Sequence, residues 1–418
     1  METAKIEKLI PGGQALATLD SGKKAFIWGA LPGETVEFEI TKQKSSFVEG
    51  IATKILSQSE RRSNPRDPCF LSTSPWQIMS YDYELEQKSA LVLESFRQNH
   101  IDIKPPKLAI TDGRDYFYRN KMEYSLYWNN ETSQIDLAFH ARSTHRKAPI
   151  TQSSIERPEI FSVAQSIVAG LNAEHKSARD YQSLLVRCNQ QGTTSVALFE
   201  NRKPHPQMTP LRDTILGHEY TYSPNGFFQI NLPVYELALQ EIGKHITTEK
   251  VLDLYAGVGT IGLSVARDRD LTLVEASASA YAELQNNCAS VPHAPSSAPS
   301  ARHSGLVPES MQFSPNINPV LAKSEDVLDF VAPDATIILD PPRAGCDSKL
   351  IEKLNQTQPP AIIYLSCNPI TQARDIASLL PHYNISHLQP FNFFPRTPHI
   401  ENLTILTRTY NLVQKTKK

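Results

Sequence analysis

The sequence predicts an α/β protein: a doubly wound parallel sheet in the C-terminal half, behind a small N-terminal β-barrel and an α+β middle segment. Three observations carry this. From about residue 246, short apolar runs (251–254, 272–275, 337–339, 362–365) alternate with helix-like segments (261–266, 278–288), the grammar of strands joined by crossover helices. Residues 4–56 instead hold short strand-like runs punctuated by Pro-Gly and Ser-Gly turns, which suits a small barrel. The length, 418 residues, gives room for two or three domains at roughly 150 residues each.

In chain order, runs at 15–19, 24–28, 35–40 and 47–55 supply the barrel over 1–57. Residues 57–80, with Arg61, Arg62 and Arg66 among prolines, look like a linker. Residues 81–100 place apolar side chains near a 3.6 period and predict a helix. The central segment, 58–224, mixes strands (117–128, 135–139, 183–188, 195–198) with a helix near 160–174. The third unit, 225–418, is interrupted at 289–319, where six prolines and seven serines predict an exposed, mobile inserted loop.

Composition removes several classes of function. With 42 basic and 44 acidic side chains the net charge is −2, so contact with nucleic acid has to come from local patches. The five cysteines form no CxxC pair, which argues against a disulfide framework and a structural zinc site. Neither a signal peptide nor an apolar run of ~18 residues is visible, so a cytoplasmic protein is expected.

Four motifs carry chemistry. VLDLYAGVGTIG (251–262) is a strand, a glycine turn and a helix start, the arrangement that lets a backbone approach a nucleotide-like ligand. Alone it does not separate a nicotinamide nucleotide from S-adenosylmethionine. Glu275, ending the next strand, suits ribose hydroxyls, and Tyr255 suits an adenine wall. LDPPRAG (339–345) sets Asp340 in a stiff turn after a buried strand; the structural alternative is a helix cap. YLSCNP (364–369) puts Cys367 past another buried strand, between polar neighbours, whereas Cys188, Cys288 and Cys346 read as packing cysteines. FFPRTPHIE (393–401) gathers Arg396, His399 and Glu401. By itself it reads equally as a solvated loop; beside Cys367, Glu401 becomes a candidate base.

Together with NGFFQIN (225–231), these motifs in this order resemble the RNA (uracil-5-)-methyltransferase family. Upstream, the first ~55 residues look like its TRAM barrel, and YRNKMEY (118–124) and FHARSTHRK (139–147) look like its central-domain motifs. The resemblance implies a Rossmann-like S-adenosylmethionine-dependent domain, with Cys367 as nucleophile and Glu401 as base. Gln229, Tyr255, Glu275 and Asp340 would contact the cofactor, and Gly257 and Gly259 would allow its close approach. Many members hold an iron–sulfur cluster on four cysteines. Here Cys69 is followed by Leu71-Ser-Thr-Ser74, and serines stand near residue 153, so a cluster-free member is expected.

The chemistry asks for these parts. Carbon 5 of uracil is a poor nucleophile until a thiolate adds at carbon 6, and a base must later remove the carbon-5 proton. The uridine must leave its stack, which favours single-stranded or flippable sites. Expected RNA contacts are Arg119, Lys121, Arg142, His145, Arg146 and Lys147, the barrel lysines Lys42, Lys44 and Lys54, and the 415–418 tail, with Tyr116, Phe117 and Tyr118 as stacking candidates. A monomer acting on 23S ribosomal RNA is expected, with transfer RNA as the alternative. The rivals are a nicotinamide-dependent oxidoreductase, a silent RNA-binding relative, and cytosine methylation, which usually pairs two site cysteines.

Overall fold

The protein is described here by a computed structural model covering residues 2–291 and 316–409. Strands β1 (Glu2–Leu9), β2 (Ala15–Thr18), β3 (Lys24–Trp28), β4 (Thr35–Gln43) and β5 (Phe47–Ser57) close a barrel in the order β1-β2-β3-β5-β4. Alternate residues point inward, and many are small: Ala15, Ala17 and Ala25 are buried beside Ile27, Val36 and Phe38.

The 57–80 segment is no free tether. It carries a short helix α1 (Phe70–Thr73), and Trp76 is buried with its indole N–H donating to the Gly13 carbonyl at 3.1 Å. Helix α2 (Tyr81–Gln98) follows. The middle sheet comprises β6 (Lys121–Asn129), β7 (Gln134–His140), β8 (Lys147–Pro149), β9 (Tyr181–Cys188) and β10 (Thr194–Glu200), ordered β10-β9-β6-β7-β8. Helix α3 (Pro158–Ala173) covers it through Ile160, Ala164, Val168 and Leu171. A hairpin, β11 (Leu211–Ile215) and β12 (His218–Tyr222), leads out.

The C-terminal unit runs α4 (Leu232–Gly243), β13 (Lys250–Leu254), α5 (Thr260–Val265), β14 (Asp270–Glu275), α6 (Ala278–Ala289), β15 (Ile317–Leu321), β16 (Ala335–Leu339), α7 (Ser348–Thr357), β17 (Ala361–Ser366), α8 (Pro369–Leu379), β18 (Tyr383–Phe391) and β19 (Glu401–Arg408). Its seven strands are ordered β15-β14-β13-β16-β17-β19-β18. The first five are parallel, as expected, but β19 is antiparallel to both neighbours. The reason is the connection: only 392–400 separates β18 from β19, too short for a parallel crossover. The expected loop at 289–319 needs trimming at its end, because 317–319 begin β15. Pro319 disguised that strand, and proline is tolerated at a sheet edge. Residues 292–315 lie outside the described residues, as does the lysine-containing 415–418 tail. No helix among the described residues is long and apolar enough to cross a membrane.

One apolar cluster joins barrel residues such as Ile27 and Phe38 to Trp76, to Val92 and Phe96 of α2, and to Leu350, Ile362, Ala373 and Ile376 of the C-terminal unit. The opposite face of the large sheet packs on α4 and α5 through Tyr235, Leu239, Ile261 and Leu263.

Candidate active site

Sheet register assembles the site. Leu254 pairs with Val274 on one side and Leu339 on the other. The next residue along each strand is Tyr255, Glu275 and Asp340, so three separated sequence positions share the carboxyl edge of the sheet, where ligands bind in open α/β folds. Ser366 pairs with Asn402 in the antiparallel β17–β19 ladder. One step beyond, Cys367 leaves β17 where Glu401 enters β19. The antiparallel strand thus begins where its parallel neighbour ends, and nucleophile and base candidates face one another.

Helix α8 locks this junction. The Gln372 amide donates to the carbonyls of Tyr364 (2.8 Å) and Asn402 (3.0 Å), one on each strand, and its oxygen accepts from the Asn402 amide at 2.7 Å. Asn368 caps α8 by accepting from the Ile370 N–H and donates to the Arg343 carbonyl at 2.9 Å. Cys367 therefore sits immediately before a helix N-terminus.

The glycine turn divides its labour. Gly257 has φ +58° and a Cβ there would meet open space, whereas a Cβ on Gly259 would lie 2.6 Å from Leu284 Cδ1, and one on Gly262 2.8 Å from Asp253 Oδ2. Only Gly257 fits the expected role of admitting a ligand; Gly259 serves packing. Tyr255 also has positive φ, +64°, which turns the strand sharply. Glu275 accepts from the Gly257 N–H (2.8 Å) and the Ser277 N–H (2.6 Å), which fixes its carboxylate against the turn. Asp253 holds the Gly262 N–H at 2.8 Å while its Oδ1 is buried and unpartnered.

Charge is frustrated here. Burial, then Glu401 and Asp340, push the Cys367 thiol up to about 11; Arg343 opposes them. Burial raises Asp340 to about 7 and holds Glu401 well above the carboxylate range, the latter reinforced by Asp340. Burial likewise lifts Asp253 to about 7. Burial and mutual repulsion raise the proton affinity of Cys367, Asp340 and Glu401, and the positive charge of Arg343 opposes this at Cys367 and Glu401. That cation, Arg343, lies within the quoted LDPPRAG motif but carried no assigned role; a lone exposed arginine gives no signal of what its charge faces.

A cavity of about 1200 Å³ touches Tyr255, Glu275 and Pro342 and runs on between α7 and α8 past Ser348, Ile351 and Ser378. Gln229, Asp340, Cys367 and Glu401 do not line it. It opens beside the glycine turn, on the side of Tyr255 and Glu275. Gln229 is buried just before α4, its carbonyl accepting from the Asn120 amide at 3.0 Å. The turn before it rests on the fully buried Arg187, which donates to the Phe228 carbonyl at 2.7 Å. Sequence reading missed Arg187, since an arginine in an alternating strand reads as solvent-facing. Asp340 is no helix cap: the next helix, α7, is capped by Asp347. Cys346 and Cys188 are buried and Cys288 packs on the core, as packing cysteines do.

Several expected RNA contacts are otherwise engaged. Arg142 donates to the Leu71 carbonyl at 2.6 Å and lies 4.4 Å from the Trp28 ring centroid, tying the middle segment to the barrel. Lys121 donates to the Asn225 and Gly226 carbonyls, and Lys147 to the Leu126 carbonyl. Tyr116 is stacked by Arg66 and Arg396. Tyr118 is 3% exposed, its hydroxyl on the Pro395 carbonyl, whereas Phe117 is 43% exposed, so the stacking candidate is Phe117. His145, Arg146, Lys44 and Lys54 are exposed. The 393–401 stretch is no solvated loop: Phe393, Arg396, Thr397 and Glu401 are buried. At the position of the family's cluster ligands, Asp67 accepts from Ser154 and Gln77 (2.6 and 2.8 Å), while Cys69 Sγ reaches only the Gln152 carbonyl. One sulfur beside a satisfied polar knot does not fit an iron–sulfur cluster.

Residues 214–409 match the family described as tRNA (uracil-5-)-methyltransferase, and residues 2–53 match the TRAM domain. The C-terminal unit thus matches the RNA (uracil-5-)-methyltransferase family, and the barrel the TRAM domain. The chain is 27% identical to an uncharacterized RNA methyltransferase of Listeria innocua, over 92% of this chain and 93% of that one. A second, from Halalkalibacterium halodurans, is also 27% identical, over 91% of each. The methyltransferase shares its fold with Pyrococcus abyssi tRNA (uracil-54, C5)-methyltransferase, solved with S-adenosyl-L-homocysteine: TM-score 0.73, 19% identity, 97% of this chain and 100% of that one.

Proposed function

We propose that this methyltransferase transfers a methyl group to carbon 5 of a uridine in 23S ribosomal RNA through a covalent Cys367 adduct. The observation that carries the reading is the register that sets Cys367 and Glu401 side by side at the carboxyl edge of the sheet. S-adenosylmethionine supplies the methyl group. Gln229, Tyr255, Glu275 and Asp340 hold it, with Gly257 leaving the room its chain needs.

Cys367 releases its thiol proton to water, its Sγ bonds to carbon 6 of the uracil, and the ring electrons pass to carbon 5 and the carbon-4 oxygen. The positive charge of Arg343 acts on both Cys367 and Glu401 and offsets their negative charge. After carbon 5 is methylated, Glu401 takes its proton. The electron pair re-forms the ring double bond and expels the thiolate. The high affinity of Glu401 for a proton, imposed by burial and Asp340, makes it an effective acceptor. The barrel over 1–57 and the central segment over 58–224 present the exposed cations and Phe117 to RNA, and the enzyme works as a cytoplasmic monomer.

The test is nucleoside mass spectrometry on unmodified ribosomal and transfer RNA incubated with enzyme and S-adenosylmethionine. New 5-methyluridine in 23S RNA with wild type, and none with Cys367→Ala, is expected. Product only in transfer RNA would replace the substrate; methylated cytosine, or activity in Cys367→Ala, would overturn the mechanism.

A further inference from the structure

Away from the active site, Glu241, His245 and His387 converge. Glu241 lies in the last turn of α4, His245 follows just past its end, and His387 comes from β18. One oxygen, Glu241 Oε1, lies 3.5 Å from His245 Nε2 and 3.4 Å from His387 Nε2. The three ligand atoms all fall within 4.8 Å of one another. Both Nε2 atoms are buried and have no hydrogen-bond partner. The other carboxylate oxygen, Oε2, is taken by Lys244 at 2.6 Å, so Oε1 is the one left to face the rings.

We propose that Glu241, His245 and His387 bind one divalent transition-metal ion, zinc by preference. Bonds of about 2.0–2.1 Å at a tetrahedral angle put ligand atoms about 3.3 Å apart, close to the two nitrogen–oxygen separations seen. Two imidazoles and one carboxylate are a borderline-soft set that suits zinc over magnesium or calcium. The strand is also shaped for the purpose. The β18–β19 register slips between Ile385 and His387, and a bulge of this kind re-aims the side chain that follows it. Here it brings His387 against α4. Each side chain is part-exposed, which leaves the fourth position open to water. The ion would brace α4, whose other end follows Gln229, against the strand whose far end pairs with Glu401.

The test uses the full chain, stripped with EDTA, dialysed and titrated with zinc chloride in a calorimeter. Wild type should bind one ion more per chain than Glu241→Gln and than His245→Asn/His387→Gln, and zinc should raise its Tm but not theirs. Circular dichroism of the stripped variants checks folding, and Glu241→Gln, near-isosteric, guards against a misfolded double variant. The free cysteines also take zinc, so cobalt is substituted in a parallel titration. A d–d spectrum without thiolate-to-cobalt charge transfer, lost in both variants, is expected. Equal binding by wild type and variants, a thiolate band for the tightest ion, or no binding at all would each overturn the site.

Discussion

In the proposed mechanism Cys367 and Glu401 have opposite parts in one covalent cycle, so removing each should leave a different remnant. Cys367→Ala never forms the carbon–sulfur bond. Glu401→Gln keeps the shape of the side chain but accepts no proton, so the adduct forms and cannot resolve. We expect Glu401→Gln to turn over about 10²–10⁴-fold more slowly and to accumulate a protein–RNA species that survives a denaturing gel. Equal absence of that band in both variants would remove Glu401 from the role of base. Asp340 makes a separate prediction about pH. Its folded-state carboxyl titrates near 7, against an ordinary value of 3.8, because it is buried. The folded protein then keeps a proton that the unfolded chain releases between about pH 4 and 7. Its contribution to stability is complete below pH 4 and is lost as pH rises through 7. Asp340→Asn has no charge to bury. Without ligands its Tm should exceed that of wild type at pH 8, at about 1 °C per kcal/mol, with the gap narrowing toward pH 5. A gap independent of pH would mean Asp340 is not the group that titrates.

Elements with a strong local signature were legible in the sequence, and those whose identity depends on a distant partner were not. The barrel strands, α2, α3 and the β13–turn–α5 unit announce themselves by alternation, period and glycine placement. Helix α8 carries the polar Gln372 and Asp375 on its buried side, so its apolar period is broken. Those polar groups are used: Gln372 stitches β17 to β19, and Asp375 accepts from the Tyr364 hydroxyl and the Cys346 N–H, both at 2.8 Å. The glycine turn was found, but the role of each glycine needed coordinates. This separates two substitutions that look alike on paper. Gly259→Ala meets Leu284 and sits at φ +90°, so it should lower stability by roughly 2–4 kcal/mol, from left-handed strain and overpacking together. Gly257→Ala has only the strain, roughly 1–2 kcal/mol, yet its methyl enters the open space beside Glu275. Thermal unfolding with and without S-adenosylhomocysteine should show Gly259→Ala less stable but still protected by ligand, and Gly257→Ala more stable but poorly protected. The reverse pattern would mean the ligand passes on the Gly259 side.

At the scale of the molecule, what the sequence concealed is how the segment before the central sheet is spent. Residues 57–80 and α2 look like a connector, yet they form a socket for the loop that delivers Glu401. Glu84 and Lys88, both fully buried, pair at 3.1 Å. Glu84 also accepts from the Arg396 N–H and the Asn392 amide, each at 3.0 Å, while Lys88 donates to Asn392 Oδ1 (2.5 Å) and the Phe394 carbonyl (2.9 Å). Arg396, at φ +62°, reaches the Met79 carbonyl and Asp115. Partners some 300 positions apart leave no trace in local pattern; on α2 alone, Glu84 and Lys88 read as a solvated i,i+4 pair. Burial changes their worth. A buried ion pair contributes little against an apolar substitute, but half of one is costly, about 3–5 kcal/mol. Lys88→Met should therefore lower Tm by roughly 3–6 °C, because Glu84 loses its nearer cation while still enclosed. Glu84→Gln should cost a comparable amount, because burial already pushes Lys88 down to about 8 and without the carboxylate its ammonium has to shed its proton or stay enclosed with no counter-charge. In the double variant neither charge remains, and most of the loss should return, a coupling of a few kcal/mol. Urea unfolding of the four proteins measures it. Strict additivity would show that the two charges do not depend on each other and that the socket is held by its apolar wall alone. Coupling, with slowed methylation in the single variants and recovery in the double, would show that the position of Glu401 is set from α2.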